Sequence, residues 1–169
     1  MKNLLKILSL VMVMLVAACG TLNTPPPTIG MSEEAVIARS GKPIVRHQDG
    51  RETLLEYSSP WGQTTYMARI GADGRLKSWE QVLSNDNFAK IVIGKTTKPE
   101  IFRTFGTPAE TTYLNLPKLE VWSYRYKEGG VQNLMIHVYF DHQGVVRRTE
   151  GGLDPRYDTN PDRGGGRGR

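Results

Sequence analysis

Ile93-Gly94-Lys95-Thr96-Thr97-Lys98-Pro99-Glu100-Ile101-Phe102-Arg103-Thr104-Phe105-Gly106-Thr107-Pro108 reads as a short helix with its start and stop both written in. Thr97 and Glu100 have capping-box spacing, and Pro99 fits a first turn. Ile101, Phe102 and Phe105 form an apolar stripe at helical spacing, and Gly106 with Pro108 ends the helix. An aromatic strand follows through Trp122, Tyr124 and Tyr126, and a hairpin glycine, Gly144, leads to Val146. Working outward, Ile29 to Tyr57 repeats this order. Ile29-Gly30 opens it, Gly41 and Pro43 close the helix, Leu55 and Tyr57 mark the strand, and Gly74 leads to Leu76. The offset grows only from 64 residues at the opening glycines (30 and 94) to 70 at the hairpin glycines (74 and 144). Drift this small, falling in loops, marks a tandem repeat.

The sequence predicts an α+β fold of two such repeats, each a short helix or helices on a three-stranded antiparallel sheet. In the first, residues 29–83, Ser32 is an N-cap, with Glu33 and Glu34 where the helix dipole favours negative charge. Asp49-Gly50 and Asp73-Gly74 are hairpin turns. Thr53-Leu55-Tyr57 and Tyr66-Ala68-Ile70 alternate as half-buried strands do, and Trp79 and Leu83 are expected to share one face of a last strand. The second repeat, residues 84–153, adds a leading helix, Asn85 to Ile91, capped by Ser84 and stapled by Leu83 and Phe88. Its strand signals lie at 120–126, 134–140 and 145–149, with Leu134, Ile136, Val138 and Phe140 on one face. Asn133, Met135, His137 and Tyr139 point the other way. At about 55 and 70 residues each unit has a marginal core of its own, so the two are expected to pack together.

Residues 1–18 read as an export signal: Lys2 and Lys6, an apolar run from Ile7 to Leu15 broken by Ser9, then Val16-Ala17-Ala18. The run is shorter than the roughly 20 residues of a spanning helix. Cys19 is the only cysteine, so no disulfide supports the fold. A lone thiol could be a nucleophile or an unpaired structural residue. Its position after Val-Ala-Ala resembles the bacterial lipobox, which implies a lipidated Cys19 as anchor. Residues 19–28, with Pro25-Pro26-Pro27, are then a tether, up to roughly 28 Å if extended as polyproline. Gly20 follows where an aspartate would imply inner-membrane retention, so the implied place is the outer membrane, facing the periplasm. Residues 154–169, ending Arg163-Gly-Gly-Gly-Arg167-Gly-Arg169, are expected to be a disordered tail. An exported chain meets no nucleic acid, which leaves anionic lipid, or plain solvation, for those arginines. The formal charge of +5 falls to about +3 once Lys2 and Lys6 leave, too little to indicate a polyanion partner.

Ser84 to Ile91, Ile93-Gly94, Thr97, Gly106-Thr107-Pro108, Trp122-Ser123-Tyr124 and Phe140-Asp141 through Gly144-Val145-Val146 form an ordered set that resembles the BamE (SmpA/OmlA) lipoprotein family. The resemblance covers about residues 84–150. It implies a helix-helix-three-strand module at the periplasmic face of the outer membrane, a non-enzymatic accessory in β-barrel assembly. By position it implies partner contacts at Tyr113, Leu114, Trp122 and Tyr124. The chain departs from the family in having two modules, and in Gly94-Lys95-Thr96 where the family has Gly-Met-Thr. A doubled module is also similar to the secreted β-lactamase-inhibitor proteins, which present a concave sheet to an enzyme.

Catalytic motifs are absent: there is no Gly-x-Ser-x-Gly, Walker or zincin pattern, and no cofactor is implied. His137, Asp141 and His142 lie close in sequence, but no third ligand has metal-site spacing, and Asp141 suits a hairpin start. Trp122, Tyr124 and Tyr126 share one strand face, which reads as core under the helices or as an edge offered to a partner. Trp61, in a Pro-Trp-Gly turn, is harder to bury and is the stronger candidate for a partner or membrane contact.

Overall fold

A computed structural model describes residues 25–157. The repeat exists, and its signature residues perform the same backbone chemistry twice. Gly30 N–H donates to Leu76 O and Gly94 N–H to Val146 O. Glu33 N–H donates to Gly74 O and Lys98 N–H to Gly144 O. The opening Ile-Gly and the distant hairpin glycine are therefore two ends of one contact, which fastens the helix start to the last hairpin of its own sheet. The eight-residue helix of each repeat ends alike, on Gly41 (φ 84°) or Gly106 (φ 78°), whose N–H groups reach Ile37 O and Phe102 O.

The first unit is α1 (Glu33–Ser40) followed by β1 (Val45–Asp49), β2 (Glu52–Ser58), β3 (Thr65–Ile70) and β4 (Leu76–Gln81). The second is α2 (Asn85–Phe88), α3 (Lys98–Phe105), β5 (Glu110–Leu114), β6 (Leu119–Glu128), β7 (Gln132–Phe140) and β8 (Val146–Leu153). Both sheets are antiparallel meanders of four strands in sequence order, not three as the sequence suggested. The strands it missed, β1 and β5, are the first edges. Thr111, Thr112 and Tyr113 are all exposed, so β5 carries no apolar alternation to announce it. The leading helix is shorter than expected, ending at Phe88 and continuing as turns to Ile91. Ser32, Ser84 and the Thr97–Glu100 box cap as expected.

Four layers result. Face one of the first sheet (Leu55, Ala68, Ile70, Leu76) packs on Val36 of α1. Its other face contributes Leu54 and Met67 to a larger core with Phe88, Ile101, Phe105, Tyr124, Tyr126 and Val138 of the second unit. Helices α2 and α3 are thus enclosed between the two sheets, and the units share one core as their size required. Trp79 and Leu83 were expected on one strand face, yet they enter different clusters. The strand stops at Gln81, whose side chain grips the Leu83 backbone by accepting from its N–H (2.5 Å) and donating to its carbonyl (2.9 Å). That bend carries the chain from one core to the other.

Both segments flanking the units differ from expectation where they are described. Pro25, Pro26 and Pro27 do not stand off as a spacer. They line a cavity of about 500 Å³ with Tyr57, Tyr66 and Trp79, and Pro27 is buried. Asp154 to Tyr157, assigned to the tail, is ordered: Asp154 is fully buried and a 3-10 turn follows at Pro155–Tyr157. Residues 158–169 and Cys19 lie outside the described residues.

Candidate functional site

Among the described residues no helix packs on the outer face of the second sheet. Alternation along β6, β7 and β8 sends Val121, Ser123, Arg125, Met135, His137, Tyr139, Arg148 and Glu150 there. A solvated face would carry small and charged residues throughout. This one instead has Val121, Met135 and Tyr139 nearly buried under longer polar neighbours. The Arg148 guanidinium lies 4.0 Å from the Tyr139 ring centre, and the Tyr139 hydroxyl donates to Glu150 (2.5 Å). Burial, and the acceptor carboxylate beside it, hold the Tyr139 hydroxyl above its ordinary pKa.

Across the strands, Ser123 pairs with His137 and His137 with Glu150 in register. The Ser123 hydroxyl is 2.7 Å from His137 Nδ1. Ser, His and Glu in one row invite a hydrolase reading, but the roles do not line up. Glu150 is turned to Tyr139 and Arg148 instead of the imidazole, and the Ser123 side chain is 5% exposed. What the pair does is fix the imidazole plane. Alternation in the sequence marks β7's two faces, but these partners sit 13 and 14 residues from His137 and emerge only from strand register.

At one end of this face a charge network ties down the chain. Asp154 receives Arg156 at 2.9 Å and lies 3.4 Å from Arg125 Nε, while Arg125 also pairs with Glu110. Burial alone would raise the Asp154 carboxyl, but the Arg156 bonds and the Arg125 charge outweigh it and hold it below the usual range. Arg156 also donates to Trp61 O (3.4 Å), and Gln63 Nε2 donates to Asn133 Oδ1 (2.6 Å). The first unit's Pro60-Trp61-Gly62 turn is therefore clamped to the second unit.

A second junction lies deeper. Glu56 is 2% exposed and accepts from both the Thr107 N–H and hydroxyl at 3.0–3.1 Å. Burial pushes its carboxyl up, against the pull of those Thr107 bonds. Sequence reasoning missed it, because only the other unit makes that position an interior one.

The candidates named from sequence divide. Trp61 is 67% exposed and Tyr113 56%, and Leu114 is half-buried on the outer face at the β5 edge. Trp122 is half-buried edge-on to Phe140 (5.2 Å), its Nε1 donating to Glu120. Tyr124 is 1% exposed and donates to Gly106 O, and burial holds its hydroxyl far above the ordinary value. As a partner contact Tyr124 is corrected to a core residue, enclosed by α3 and Phe88. His47 is edge-on to Phe102, and His142 sits exposed in the β7–β8 turn. Among the described residues no three metal-ligating side chains gather.

No protein-family model matches the chain. No curated protein matches it either. Among solved structures it is distantly similar to a DUF4309 family protein from Bacillus subtilis, at 14% identity and a TM-score of 0.31 over 73% of this chain and 78% of that one. It is likewise similar to a Streptococcus mutans protein provisionally described as a β-lactamase inhibitor protein, at 14% identity and 0.30 over 79% and 90%.

Proposed function

We propose that this is a non-catalytic, lipid-anchored binding protein that presents the outer face of its second sheet to a folded partner protein. The observation that carries the reading is that face itself. Among the described residues each of the other three sheet faces is covered by helices, whereas this one meets no helix and presents Arg148, Glu150, His137 and Leu114 over the buried side chains of Tyr139 and Met135. An Arg held in place by stacking, as Arg148 is on Tyr139, is a residue type that anchors protein interfaces at low entropic cost. Anchoring comes from Cys19, and the setting is the periplasmic side of an outer membrane.

Two partners fit this mode. One is the barrel-assembly machinery, with this protein as accessory subunit; the other is a single enzyme that the face would block. Burial of Tyr124 weakens the first, since part of the contact set implied by the BamE-like pattern is closed off. Blocking by an open sheet needs none of those residues and is the better-supported mode. Affinity capture from envelopes, with wild type and Arg148→Glu/Leu114→Arg side by side, tests both. A partner lost only from the variant supports the outer face, and barrel-assembly subunits or one soluble enzyme in that fraction decide between the two. Equal capture by both forms would refute the proposal.

A further inference from the structure

Trp61, Val131, Leu153 and Tyr157 are 67%, 83%, 46% and 46% exposed, and they come together at one end of the molecule although three chain segments supply them. The bonds Gln63–Asn133, Asp154 N–H to Asn133 O and Arg156 to Trp61 O join those segments. Single exposed apolar residues are ordinary, but four gathered at one corner are not. Trp61 is also not a loose loop residue. Its turn is closed by Gly62 N–H to Ser59 O (2.8 Å) and Ser59 N–H to Thr64 O (2.9 Å), and its carbonyl is held from the second unit. An indole fixed outward this way can be covered with little loss of backbone freedom.

The N-terminal tether leads to the same end. Pro25, Pro26 and Pro27 rest by Tyr57 and Tyr66, which face each other one rung before Ser58 and Thr65, where the strands enter the Trp61 turn. Six Cα steps separate Cys19 from Pro25, at most about 20 Å of chain. The far hairpin, with Leu116 90% exposed, lies at the other end of the ten-residue strand β6, about 34 Å away. An anchor on Cys19 therefore reaches the Trp61 end far more readily than the Leu116 end.

We infer that this corner is the bilayer-facing end of the protein, with Trp61 and its three apolar neighbours resting in the lipid headgroup region. The inference rests on the anchoring of Cys19 proposed above. Indole and phenol rings favour that region because it is apolar on one side and wet on the other. The occupant is a lipid surface and not a protein because the tether holds this end beside one. In that orientation the outer face of the second sheet stands roughly along the membrane normal, open to a periplasmic partner.

The test uses the full, lipidated chain in vesicles of phosphatidylethanolamine and phosphatidylglycerol. Flotation reports the anchor. Brominated lipids report depth, with Trp61→Phe isolating Trp61 emission from that of Trp79 and Trp122, and a nitroxide on Leu116→Cys marks the far end. The expected result is flotation, several-fold stronger quenching of wild type than of Trp61→Phe, and a water-exposed label at 116. Failure to float overturns both the anchor and this inference. Flotation with equal quenching of the two forms overturns the orientation alone, as does a lipid-exposed label at 116. Shielding of Trp61 in native envelopes but not in vesicles assigns the corner to a protein instead.

Discussion

Leu54→Ala measures whether the two units are one folding body. Leu54 lies on β2 of the first unit, 3% exposed, yet clusters with Phe88, Phe105 and Val138 of the second. Truncating a leucine so enclosed costs about 2–5 kcal/mol, in lost transfer energy and an unfilled cavity. For a single domain of this size about 4 °C of melting temperature accompanies each kcal/mol, so the transition should fall by roughly 8–20 °C. Two single-tryptophan forms, keeping either Trp79 in the first unit or Trp122 in the second, report each half separately. Both probes should show one transition, displaced equally by Leu54→Ala. A Trp122 transition that stays in place while the Trp79 transition falls would refute the shared core.

Three further substitutions probe the junctions. Glu56 titrates above its unfolded value, so its contribution is most favourable below the unfolded pKa and is lost as pH rises through the folded one. Glu56→Gln, which can still accept from the Thr107 N–H, should abolish that decline with rising pH in denaturant melts. Glu56→Ala should cost about 1–3 kcal/mol below the unfolded pKa by orphaning the same N–H, and less as pH rises. Asp154 titrates below its unfolded value, so its stabilisation is present above the unfolded pKa and lost as pH falls through the folded one. Asp154→Asn should remove that acid limb and cost about 3 kcal/mol at neutral pH by leaving Arg125 under-compensated, seen as a lower denaturant midpoint. Gly106→Ala should lower the melting temperature more than Gly41→Ala. Both have positive φ, but only the Gly106 position would put a methyl carbon 2.6 Å from the Glu56 carboxyl carbon.

What the sequence revealed was whatever the backbone demands locally. The Ile-Gly openings, the glycine helix stops and the hairpin glycines repeat because the same N–H and C=O groups must be satisfied in each unit. The aromatic alternation of Trp122, Tyr124 and Tyr126 likewise announced a strand under helices, and Tyr124 and Tyr126 are buried there. What stayed hidden depends on a second segment. Edge strand β5 has no apolar face of its own, so only pairing with β6 defines it. Glu56 sits beside Leu55 and Tyr57 in a strand where a carboxylate suggests solvent, and it is the other unit that encloses it. The Ser123–His137–Glu150 row and the Arg125–Asp154 pair come from register and from a chain end folding back. Trp61 was legible because a Pro-Trp-Gly turn leaves an indole few places to hide.

Recognition through the outer face of the second sheet is tested most directly by site-specific photo-crosslinking in the producing cell. A crosslinker at Arg148 is compared with one at Ala38, an exposed position on α1. A discrete protein adduct is expected from position 148 and none from position 38. Equal adducts from both positions, or an adduct from position 38 alone, would contradict it.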